Sequence, residues 1–167
     1  MVVDLFAQLI PWLQTLSGPL LYLGILFVSF IGSATIVLPV VPAVLVIFAV
    51  APIANPWLVG IAAGVGAAFG ELTGYALGRG GNYVAGKKQK KYFLQAERLM
   101  ERYGAVVVIF VFSILPLPFD VIGIICGITR YDIRKFMVAT TAGKIIKFTL
   151  ISLAGFYGIS WLMGTFA

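Results

Sequence analysis

The sequence predicts an all-α, polytopic integral membrane protein, and three observations carry that reading. Of its 167 residues, 61% are hydrophobic and only 11% charged, too few charges to clothe a soluble surface of this size. Mean hydropathy is +1.06, so most of the apolar surface needs a bilayer to cover it. Four ionisable residues, Glu71, Asp120, Lys144 and Lys147, nevertheless lie inside the apolar stretches. An Asp or Lys at the centre of a membrane helix costs roughly 3 kcal/mol, so several together mark a polar cavity near mid-membrane rather than a lipid-facing surface.

Residues 1–17 predict an interfacial helix, with Asp4, Gln8 and Thr15 toward one side, a kink at Pro11 and Trp12 at the headgroup level. No basic n-region or small-residue cleavage site precedes the apolar stretch, so no cleavable signal peptide is expected. The apolar run over 19–55 spans about 55 Å as continuous helix, too long for one crossing and short for two with a turn. Pro39 and Pro42 break it near the middle. That break predicts a re-entrant hairpin, or else one span followed by a half-helix. Residues 56–79 predict a single span, opened at an interface by Pro56 and Trp57 and closed by Arg79 at the cytoplasmic boundary. Its glycines, Gly60, Gly64, Gly66, Gly70, Gly74 and Gly78, include spacings of four that admit close helix contact.

Residues 87–103 predict an amphipathic connector helix, lying on the anionic inner leaflet or else serving as a solvated linker. Tyr92, Phe93, Ala96, Leu99, Met100 and Tyr103 recur at helical spacing, with charges on the other face. The run over 104–128 has the length of one span, but both of its flanks are basic. A hairpin folded at Pro116 and Pro118 keeps both flanks in the cytoplasm, whereas a full crossing exports one, so the hairpin is predicted. Residues 136–164 predict the last span, with Lys144 and Lys147 inside it and Trp161 at the far interface. A Pro-broken segment followed by a span thus occurs twice, around a basic connector. If that connector is cytoplasmic, the halves form an inverted repeat, the arrangement in which interrupted segments point to a transporter-type site.

Composition excludes several chemistries. The net charge of +6 is concentrated in Lys87, Lys88, Lys90, Lys91, Arg98 and Arg102 and in Arg130, Arg134 and Lys135. These bases flank membrane segments, which argues against a nucleic-acid partner. Cys126 is alone, so no disulfide forms within the chain. Histidine is absent, which removes His triads, His metal sites and His phosphatases. No cofactor, metal site or enzymatic activity is expected.

One run carries the most specific pattern: Gly70, Glu71, Gly74, Tyr75, Gly78 and Arg79, most of it on one helix face. It resembles the glycine–acid–Gly-Tyr–Gly-Arg motif of the DedA family, also called the SNARE-associated Golgi protein or VTT-domain family. Tyr103 through Asp120 is similar to that family's second Pro-containing re-entrant segment, and Ala142 through Phe148 to its following helix. The resemblance implies two re-entrant hairpins entering from opposite leaflets. It also implies transbilayer movement of lipids, as flippases of undecaprenyl phosphate in bacterial members and phospholipid scramblases in eukaryotic ones, with proton-motive-force coupling attached to the former. The chain departs from many bacterial members in two places. Ser33 to Val50 contains no acidic residue, and Ser113 and Asp120 stand where those members carry arginines.

The expected function is therefore a transporter of phosphate-bearing lipids in the inner membrane. Lys144, Lys147 and Arg79 are the candidate phosphate contacts; ammonium groups bind phosphate as point charges. Glu71 and Asp120 are candidate proton-coupling or gating carboxylates. A structural reading stands beside this one, with Glu71 and Asp120 simply countering the lysines, or Asp120 acting as the N-cap of a returning half-helix. A proton- or cation-coupled exporter of a small solute, and a non-transporting structural protein, are the alternative functions. The expected partners are membrane lipids, anionic or polyprenyl phosphate, and the small size and glycine face admit a homodimer.

Overall fold

Proline, asparagine and glycine punctuate the chain into helices, beginning with α1 at Pro19–Ala34. The computed structural model describes residues 11, 15–16, 18–34, 43–81, 87–115 and 119–166, except for the side chains of 87–92 and 159–166. The expected interfacial helix over 1–17 lies almost entirely outside the described residues, as do Pro39, Pro42, Pro116 and Pro118. After α1 come α2 (Ala43–Val50), a 3₁₀ turn (Ala51–Ile53), α3 (Pro56–Arg79), α4 (Lys87–Tyr103), α5 (Ala105–Ile114), α6 (Phe119–Ile128) and α7 (Ile133–Phe166). The described residues are helical apart from their connections, and two helices among them are long and apolar enough to cross a membrane: Pro56–Arg79, and α7 over Ile133–Gly158.

Local chemistry sets the helix ends. Asn55 caps α3, its Oδ1 accepting from the N–H groups of Trp57 at 3.0 Å and Leu58 at 3.4 Å, with Pro56 in the first turn. Helix α7 begins earlier than the 136 expected from hydropathy. Asp132 Oδ1 accepts from Arg134 N at 2.9 Å and Lys135 N at 3.0 Å, so the two bases read as a flank form the first turn instead. Asp120 lies within the first turn of α6, which starts at Phe119, and is not the N-cap. Gly104, with φ +86°, makes the corner between α4 and α5 in a conformation open to glycine.

Helices α3 and α7 form an antiparallel central pair. Gly60 lies against Thr149, Gly64 against Ile145, and the rings of Tyr75 and Phe136 are 5.3 Å apart. Around them, α1 and α6 pack on α3, while α2 and α5 pack on α7. Glycines set the distances. A Cβ at Gly66 would strike the Leu26 carbonyl of α1, and one at Gly78 the Ile124 carbonyl of α6.

The excursion through α1 and α2 closes on itself, because Asn55 N donates to Tyr22 Oη at 3.3 Å. In the second half, α5 runs parallel to α7 and α6 parallel to α3, so α5 and α6 have opposite senses. Each is ten residues long, about 15 Å, half the thickness of a hydrocarbon core.

Two apolar clusters flank a polar middle. One joins Ile25, Val46, Ile47, Val50, Val59 and Phe148; the other joins Tyr75, Ile109, Ile122, Cys126 and Phe136. Helix α4 covers the second with Phe93, Ala96, Leu99 and Met100 and turns Glu97, Arg98, Glu101 and Arg102 outward. Tyr103, expected on the apolar face, is exposed. Along α3 and α7, the interval between the clusters holds Glu71 and Lys144.

Candidate functional site

Glu71 occupies the sixteenth position of α3 and Lys144 the twelfth of α7, counted from Pro56 and Ile133. At 1.5 Å per residue each lies about 12–17 Å from the end of the pair at Arg79 and Ile133, close to the middle of an apolar core about 30 Å thick. Their side chains meet: Lys144 Nζ donates to Glu71 Oε1 at 2.5 Å, with both residues buried. The Lys144 ammonium also stands 5.0 Å from the centre of the Phe119 ring, at the start of α6. A carboxylate on one side and an aromatic face on the other hold it in place.

The remaining polar groups are less completely matched. Glu71 Oε2 is buried with no hydrogen-bond partner among the described residues, and so are the hydroxyls of Ser29, Thr140 and Ser152. Thr140 precedes Lys144 by one turn on α7, which sets it between the Glu71–Lys144 and Tyr75–Phe136 contacts. Lys147 is half-buried and has no carboxylate within ion-pair distance among the described residues; its ammonium is 5.9 Å from the Phe148 ring. Asp120, also half-buried, stays beyond ion-pair distance of either lysine, although its charge is felt by both Glu71 and Lys144. Two carboxylates and two ammonium groups thus share one mid-depth region, with one pair locked and one of each sign free of direct pairing among the described residues.

The glycine-rich run of α3 explains itself in three dimensions. Glu71 makes the ion pair. Gly74 and Gly78 admit α6, whose Gly127 in turn lies under the Tyr75 carbonyl. Tyr75 Oη donates to the Tyr131 carbonyl at 2.6 Å and accepts from Arg79 Nη1 at 3.1 Å. Arg79 is therefore at the helix end, in a latch to the α6–α7 turn, and is not brought to Lys144 and Lys147. Sequence reading missed Phe119, Thr140, the Tyr131 carbonyl and Asp132. Only Asp132 carried a local signal, an Asp directly before a helical stretch.

Like contacts recur in the two halves. Gly70 faces the Phe30 carbonyl and Ser33 Cβ of α1; Gly143 faces the Phe110 carbonyl and Ser113 Cβ of α5. Each glycine immediately precedes a member of the ion pair. Among the described residues no group of three His, Cys, Asp or Glu side chains is placed to hold a metal ion.

Outside the membrane-spanning helices, the Asp132 carboxyl is held below its ordinary range. The backbone N–H of Lys135 is the main cause, followed by that of Arg134 and by the two positive side chains.

The sequence profile of the VTT domain matches residues 38–157. Two curated relatives, the inner membrane protein YqaA of Escherichia coli (strain K12) and that of Shigella flexneri, are each 28% identical over 136 residues, covering 81% of this chain and 92% of theirs. No solved structure matches the chain.

Proposed function

The chain belongs to the VTT-domain family, which is also the DedA and SNARE-associated family, and on that premise we propose that it carries phosphate-bearing lipids across the bilayer without altering them covalently. Its relatives and its two apolar helices place it in the inner membrane. The observation that carries the proposal is Lys147, a half-buried ammonium with no direct counter-ion among the described residues, one turn from a locked Lys144. An uncompensated charge in low dielectric is costly by several kcal/mol, and an arriving phosphate relieves that cost.

In this reading the phosphate engages Lys147 first and then competes with Glu71 for Lys144. Proton uptake by Glu71 frees Lys144 to turn toward the lipid, while Asp120 balances charge when the phosphate leaves. The acyl or isoprenoid chains remain in the bilayer throughout. Two re-entrant hairpins, broken at Pro39/Pro42 and Pro116/Pro118, thin the barrier from opposite leaflets. Support for that inverted arrangement comes from the Tyr22–Asn55 closure, the opposite senses of α5 and α6, and the matching surroundings of Gly70 and Gly143.

The test is reconstitution into vesicles with a labelled polyprenyl phosphate or phospholipid. Movement above empty vesicles, lost in Lys147→Gln, is the expected result. Solute flux under a pH gradient with no lipid movement would instead select a coupled exporter.

A further inference from the structure

A second site lies on the flank of the molecule, away from the buried ion pair. Between α5 and α7 runs a groove of about 450 Å³ lined by Val106, Phe110, Val138, Ala139 and Ala142, with Arg134 and Lys135 at one end. A neighbouring hollow of about 400 Å³ shares Val138 and Ala142 and extends to Ile145. From Arg134 to Ile145 the groove and the hollow together follow α7 for about 16 Å, the depth of one leaflet of a hydrocarbon core roughly 30 Å thick. Its volume falls in the range of roughly 300–1,000 Å³ typical of ligand pockets.

The lining changes character once along this length. The groove's walls are apolar, the two bases stand only at its mouth, and the hollow beyond adds a single hydroxyl, that of Thr141. Arg134 and Lys135 line that mouth, and the Oδ1 of the nearby Asp132 is already engaged by their two backbone N–H groups. An apolar slot one leaflet deep under a pair of cations is complementary to a lipid with a negative headgroup. A helix from a second copy fits less well, because each chain carries a net charge of +6 and would face like charge at the mouth.

We propose that the α5–α7 groove binds an anionic phospholipid, its phosphate on Arg134 and Lys135 and one acyl chain along Val106, Phe110, Val138 and Ala142. Guanidinium and ammonium groups at the membrane surface attract anionic headgroups, and the slot adds contacts that a bulk bilayer does not provide in this shape. The site faces a different side of α7 from Lys144. It holds a lipid whether or not the protein moves lipids.

The full-length protein in neutral detergent is titrated with phosphatidylglycerol or with phosphatidylcholine of the same acyl chains, and bound lipid is counted by native mass spectrometry. One phosphatidylglycerol per chain is expected, with a preference of roughly tenfold or more over phosphatidylcholine. Arg134→Gln with Lys135→Gln should erase the preference. Ala142→Phe, which fills the groove from an exposed position, should reduce retention of both lipids. Val138→Trp, at a residue 71% exposed, provides the same block if Ala142→Phe does not fold. Equal retention of the two lipids by the parent protein overturns the proposal. So does full phosphatidylglycerol binding by a folded groove-filled variant, or a change confined to oligomeric state. Because retention is an equilibrium count and transport a rate in vesicles, the two readings fail separately.

Discussion

Glu71 and Lys144 each stand one residue after a glycine that seats a neighbouring helix, and their side chains join across the α3–α7 contact. The glycines bring α1 and α5 close enough to exclude lipid from the pair. Removing one partner therefore strands a charge instead of letting it reach water. Lys144→Met should destabilise the protein by about 3–5 kcal/mol, and Glu71→Lys with Lys144→Glu should recover most of that loss. Denaturant titration in detergent reads both. A charge-swapped protein as unstable as the single variant would show that the pair itself contributes nothing.

Close backbone approach predicts a second sensitivity. A Cβ at Gly78 collides with the Ile124 carbonyl, and backbone cannot yield as a side chain can. Gly78→Ala should cost about 1–3 kcal/mol and broaden the size-exclusion profile. Gly80→Ala is the control, since its Cβ meets only the Ala76 and Leu77 carbonyls, at 3.4 and 3.7 Å, and its φ of −71° suits any residue. Equal behaviour of the two variants would remove the packing argument.

The Tyr75 hydroxyl ties α3 to the α6–α7 turn. Tyr75→Phe keeps the ring against Phe136 but removes the bond to the Tyr131 carbonyl, for a loss of about 1 kcal/mol. Arg79→Gln should lower the melting temperature less, because Arg79 is exposed. The reverse order would mean that Arg79, and not the tyrosine latch, anchors the turn.

Asp132 gives a pH dependence of definite sign. Its carboxyl is depressed in the fold, first by the Lys135 N–H and then by the Arg134 N–H, below the 3.8 of a free side chain. A depressed carboxyl stabilises the start of α7 above the unfolded value, and that contribution is lost as pH falls through the folded one. Helical circular dichroism of the parent should therefore decline on acidification below about pH 4 more than that of Asp132→Asn. Parallel titration curves would exclude Asp132 as the cause.

Lys147 separates transport from folding. Being half-buried and without an ion-pair partner among the described residues, it contributes little to stability that Gln cannot supply. Lys147→Gln should leave the melting temperature unchanged or raised, since it removes an uncompensated charge, while lowering the initial rate of lipid movement at least about tenfold, the effect of losing roughly 1.4 kcal/mol of phosphate binding. Unchanged movement would take Lys147 out of the pathway.

Helical class, membrane residence and the two long apolar helices were all readable along the chain. They follow from hydropathy and from the backbone's need to satisfy its own hydrogen bonds in lipid, which are properties of local sequence. The Gly70–Arg79 run announced close packing for the same reason, since glycine spacing is a local pattern. Which charges meet was not local. Asp120 and Glu71 were equal candidates for the lysines until the antiparallel register of α3 and α7 set Lys144 against Glu71 and left Asp120 beyond reach. Packing of the helices likewise set the Tyr131 carbonyl on the Tyr75 hydroxyl and Phe119 beside Lys144; with the Glu71–Lys144 pair, these contacts join residues up to 73 positions apart, which no spacing rule contains. Pairing of buried charge depends on distances of a few ångströms, and those distances exist only once helices from both halves have packed.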